Sequence, residues 1–83
     1  MVHYIIMCRS LTYAQRTAKA LERMGITAVI SRPPADIAGE GCAYGVRVRE
    51  KNLRAALKAL KDAGISYGRV FMLRPGGSEE VRG

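Results

Sequence analysis

The stretch Lys19-Ala-Leu-Glu-Arg-Met-Gly-Ile-Thr27 returns in the second half of the chain as Lys58-Ala-Leu-Lys-Asp-Ala-Gly-Ile-Ser66. The shared pattern, K-A-L-x-x-x-G-I-[TS], holds a change of period. Before the glycine the apolar residues fall at helical spacing; after it the β-branched residues of a strand begin. Gly25 and Gly64 sit where a helix is stopped by a residue in the left-handed region, which glycine enters without a Cβ clash. The repeat therefore predicts two helix–glycine–strand units joined in one chain.

Upstream of each glycine the pattern is amphipathic. Ala14, Ala18, Leu21 and Met24 form one apolar stripe, with Arg16, Lys19 and Arg23 outside it. Leu53, Leu57 and Leu60 form the second, flanked by Lys51, Arg54, Lys58 and Lys61. Ser10 or Thr12 can cap the first helix, and Thr12 with Gln15 has capping-box spacing. The second helix is expected to start near Glu50 to Asn52.

Four strands complete the reading: Val2–Cys8, Ile26–Ser31, Ala43–Arg49 and Tyr67–Leu73. In the third, Tyr44, Val46 and Val48 alternate with Gly45, Arg47 and Arg49. In the fourth, Tyr67, Arg69, Phe71 and Leu73 alternate with Gly68, Val70 and Met72. The expected fold is α+β and ferredoxin-like: a β-α-β-β-α-β chain with a four-stranded antiparallel sheet in the order 4-1-3-2 and both helices on one face. The 83 residues make one domain. It is expected over 1–74, with 75–83 as a flexible tail lacking an apolar pattern.

Composition bounds the function. Apolar residues make up 48% of the chain, which excludes wholesale disorder. No apolar run approaches the ~20 residues that span a bilayer. Val2 to Cys8 is too short for a signal-peptide core and has no basic region before it, so the expectation is a cytoplasmic protein with no membrane partner. The net charge of +7 fits an anionic partner, and equally fits a solvated surface rich in Lys and Arg. The one histidine, His3, lacks a spaced partner, so no metal is expected. Gly39 and Gly41 belong to no phosphate-binding loop, and no cofactor is expected.

The two cysteines carry the chemical interest. In the expected topology, strand one ends at Cys8. The Pro33–Cys42 connection, longer than a hairpin requires, leaves from the same end of the sheet. Strand three then starts beside strand one. Cys8 and Cys42 are thus expected at one edge of two neighbouring central strands. The N-terminus of the first helix, Arg9 and Arg32 lie at that edge and favour a thiolate. Cys8, continuous with an apolar strand, also reads as a small buried hydrophobe. Cys42, in a Gly-rich segment after Gly41, reads as the reactive one.

The chain also resembles a family of small bacterial and archaeal proteins described as selenium/sulfur-carrier-like. The resemblance runs from about Tyr4 to Leu73. It rests on the opening Tyr4-Ile-Ile, Leu21-x-x-x-Gly-Ile, Pro34-x-x-Ile37 before Cys42, and the Gly-Ile after Leu60. It implies that Cys42 is the characteristic cysteine; no family role falls on Cys8.

Three functions follow as expectations. The first is a carrier or thiol relay, more a carrier than a stand-alone enzyme. Cys42 would hold sulfur or selenium, Cys8 would be its candidate partner thiol, and Arg9, Arg32 and Gly41 would be binding residues. Its partners would be donor and acceptor proteins with acidic surfaces. The second is a small basic binding module without thiol chemistry, with weak, non-specific nucleic-acid binding. Against it, strand three lacks the paired aromatics of RNA-binding sheets. The third is a regulatory or oligomerising domain that uses the open sheet face to form a homo-oligomer.

Overall fold

The computed structural model describes residues 2–34 and 44–81. In chain order its elements are β1 His3–Cys8, α1 Leu11–Arg23, β2 Val29–Ser31, β3 Tyr44–Arg49, a 3₁₀ turn Glu50–Asn52, α2 Leu53–Asp62, β4 Val70–Arg74 and β5 Gly77–Val81. The strands form one antiparallel sheet in the order β2-β3-β1-β4-β5.

The repeat does at the backbone what its sequence implies. Gly25 and Gly64 take φ of 78° and 69°. In α1, Gly25 N–H donates to Glu22 O over 2.9 Å and Ile26 N–H to Leu21 O over 3.0 Å. In α2, Gly64 N–H donates to Lys61 O over 3.1 Å and Ile65 N–H to Leu60 O over 3.0 Å. Both are Schellman caps, which satisfy the otherwise orphaned carbonyls of the last turn. The isoleucine after each glycine then packs back toward the helix-side core.

Two strand starts are corrected. Ile26 serves the helix cap, so β2 begins at Val29 rather than at 26, and β4 begins at Val70 rather than at 67. The chain before β4 is still tied to the sheet. Gly68 N–H donates to Met7 O over 2.7 Å, and Met7 N–H to Arg69 O over 2.8 Å.

Helix α1 buries Ala14, Thr17, Ala18 and Leu21. Met24, expected in that stripe, is the C-cap and is exposed. Ser10 is the N-cap, its Oγ accepting from Tyr13 N–H at 3.3 Å, so the Thr12–Gln15 box is not used. Helix α2 buries Ala56, Ala59 and Leu60, while Leu53 and Leu57 are only partly covered. Alanines at the contacts let both helices lie close to the sheet. Beneath them, Ile6, Cys8, Val46, Val48 and Val70 complete the main core.

One expectation about the sheet is corrected. It has five strands, not the four of the expected ferredoxin-like layout. The segment from Pro75 contributes the fifth instead of remaining a loose tail. Pro75-Gly76, with Gly76 at φ 93°, is the proline–glycine pair of a tight turn. Arg69 then forms a double hydrogen bond with the Glu80 carboxylate at 3.0 and 2.8 Å, and Arg74 meets Glu79 at 3.0 Å. Val81 packs against the helix-side core.

On the face away from the helices, Ile5, Met7 and Phe71 are buried and form a second cluster, flanked by Leu73. Pro33, just past β2, is buried too.

Candidate functional site

The expected site lies at the end of the sheet where β1 finishes. There the described residues bring together Cys8, Arg9, Ser10, Arg32 and Tyr44. Gly41 and Cys42 lie outside the described residues. The chain re-enters the sheet at Tyr44, which pairs in register with Cys8. The residue facing Cys8 across the strands is Tyr44; how Cys8 and Cys42 stand to each other lies outside the described residues.

Cys8 is 2% exposed. Strand alternation turns its side chain toward the helices, as it does Tyr4 and Ile6. Its Sγ lies 3.6 Å from Ile6 O and 3.8 Å from Thr17 Oγ1. A thiol is a weak donor, and both contacts suit a small side chain packed under α1. A bulky partner thiol reaches this sulfur only by separating α1 from β1.

The two arginines are held by aromatic rings. The Arg9 guanidinium lies 4.9 Å from the centre of the Tyr13 ring. Arg32 lies 5.9 Å from that of Tyr44. At exposed positions such contacts are worth ~0.5–1 kcal/mol each, enough to bias where a long side chain points. Both cations therefore stand at the sheet end from which β3 starts. The N-terminus of α1, the positive end of its dipole, faces the same way.

Sequence reasoning named Arg9 and Arg32 but missed Tyr13, Thr17 and Tyr44. Arg9 precedes the N-cap Ser10 while Tyr13 lies in the first turn of α1, so helical spacing does not signal their contact. The Thr17–Cys8 contact joins a helix to a strand and left no local signal. Among the described residues no group of three or more His, Cys, Asp or Glu could hold a metal ion. No helix of the described residues is long and apolar enough to cross a membrane.

Fold and site together define a small basic α+β protein with two ring-held arginines at the sheet end where β3 begins. A family model matches residues 3–71, and the chain belongs to that family, described as "Putative Se/S carrier protein-like". The match spans both repeat units and the connection carrying Cys42, and it stops before β5. Comparison with curated proteins finds no match.

Proposed function

We propose that the protein is a sulfur or selenium carrier and that Cys42 is its carrier thiol. The observation that carries this reading is the family match, which includes Cys42. Two features support it. The other cysteine, Cys8, is sealed beneath α1. Arg9 and Arg32 stand at the sheet end where the Cys42 segment joins β3, and cations there favour the thiolate over the thiol.

The chemistry is an exchange at a sulfane sulfur. The Cys42 thiolate attacks the terminal sulfur of a persulfide on a donor protein. The S–S bond of the donor breaks, its cysteine leaves as a thiolate, and a persulfide forms on Cys42. An acceptor thiolate or other nucleophile removes the same atom later. No external oxidant enters, because the oxidation level travels with the sulfur. The protein is a carrier between partner proteins rather than a stand-alone enzyme, and it acts in the cytoplasm.

The test is intact mass after incubation with a cysteine desulfurase and L-cysteine. Wild type and Cys8→Ser are expected to gain the mass of one sulfur atom, removable by a thiol reductant. Cys42→Ser is expected to gain none. Equal loading of Cys42→Ser would remove the carrier assignment.

A further inference from the structure

A groove of about 390 Å³ runs between the outer side of α1 and the C-terminal turn of α2. A smaller hollow of about 190 Å³ continues it past Tyr13 and Ser66, which line both. One wall is cationic: Arg16, Lys19 and Arg23 lie along α1, and Arg9 stands at the far end. None of the residues lining either hollow is acidic. Among the described residues the ion pairs are Arg69–Glu80 and Arg74–Glu79, on the opposite side of the sequence, so these cations have no acidic partner within the described chain.

Arg16, Lys19 and Arg23 are three and four residues apart, so their like charges repel; Glu22, three residues from Lys19, offsets this only in part and does not line the groove. An anionic ligand in the groove removes the repulsion. The far end of the groove reaches Arg9 and Gly68, and Gly68 is hydrogen-bonded to Met7 beside Cys8. A ligand filling it would lead to the sheet end described above.

We infer that this groove docks an extended acidic peptide segment of a partner protein. One observation favours a peptide over a single-stranded nucleic acid: the face of Tyr13 is already covered by Arg9 at 4.9 Å, which withdraws it as a stacking platform for a base. Assigning the segment to a sulfur donor or acceptor rests on the carrier reading; the affinity of the groove for acidic peptide does not.

The experiment measures fluorescence anisotropy with the full chain and two labelled probes: a peptide of alternating glutamate and alanine, and a single-stranded oligouridine of equal charge. Two variants of equal net charge are compared, Lys19→Glu/Arg23→Glu in the groove and Arg47→Glu/Arg49→Glu on the other face of the sheet. All four positions are exposed, and Lys19→Gln/Arg23→Gln repeats the groove test without charge reversal. The peptide is expected to bind wild type, with affinity falling about tenfold or more in the groove variant and much less in the sheet variant. Cys42→Ser should bind it as wild type does. Equal weakening by both charge reversals, no peptide binding, or tighter binding of the oligouridine each overturns the inference. Failure of Cys42 to accept sulfur while the groove still binds peptide would remove the carrier reading and leave this one standing.

Discussion

In the first repeat unit Ile26 N–H reaches Leu21 O over 3.0 Å, and in the second Ile65 N–H reaches Leu60 O over the same 3.0 Å. The helix exits are the same device. The entries are not: α1 begins at Ser10, whose side chain caps it, whereas α2 follows a 3₁₀ turn and Asn52 makes no side-chain cap bond. The continuations differ more. After β4 the chain turns through Pro75-Gly76 and zips into β5 with two ion pairs. After β2, a three-residue edge strand, it enters the connection that holds Cys42. One unit spends its exit on stability, and the other leads into the residues proposed for function. Equivalent frames need not carry equivalent tasks, and the divergence sits where the repeat stops.

The equivalence of the frames can be broken by substitution. Leu21 and Leu60 are each fully buried in the same core, one residue from each repeat. Replacement of either by alanine should cost ~2–5 kcal/mol, by loss of burial and the cavity left behind. Denaturant titration reads both. A cost below ~1 kcal/mol for one and several for the other would show that only one helix anchors the core.

A smaller effect is expected at the caps. Gly25→Ala and Gly64→Ala place a Cβ at positive φ, where nothing lies within 4 Å of it. The penalty is then backbone strain alone, ~1–2 kcal/mol, and should be nearly the same in both. Thermal melts of the two variants compare them directly. A clear inequality would mean that one cap is held by more than its own dihedral angles.

The helix entries sharpen the contrast rather than the likeness. Ser10→Ala removes a side-chain cap and is expected to cost about 1 kcal/mol. Asn52→Ala removes no such bond and should stay within ~0.5 kcal/mol of wild type, as surface changes usually do. Equal costs would contradict the asymmetry.

Much of this fold was legible because its signals are local. The K-A-L-x-x-x-G-I repeat marked both helix ends, and the alternation of Tyr44 to Arg49 sorted one strand onto two faces. The order of the first four strands follows from that chain path. The fifth strand was missed because its partners are distant in kind, not in sequence: Glu79 and Glu80 have little strand propensity, and pairing with Arg74 and Arg69 holds them there. The burial of Ile5, Met7 and Phe71 on the far face was missed as well, because no period in the sequence records it. At the site, Arg9 and Arg32 were legible as charge beside a cysteine. The rings that hold them were not, because Tyr44 meets Arg32 only when two strands are in register.

The central claim separates two thiols in one small protein, one sealed and one for carriage. Alkylation under native conditions, followed by peptide mapping, tests that separation most directly. The account predicts rapid modification of Cys42 alone, with Cys8 modified only after denaturant separates α1 from β1. Modification of Cys8 at the same rate as Cys42, or before it, would contradict the account.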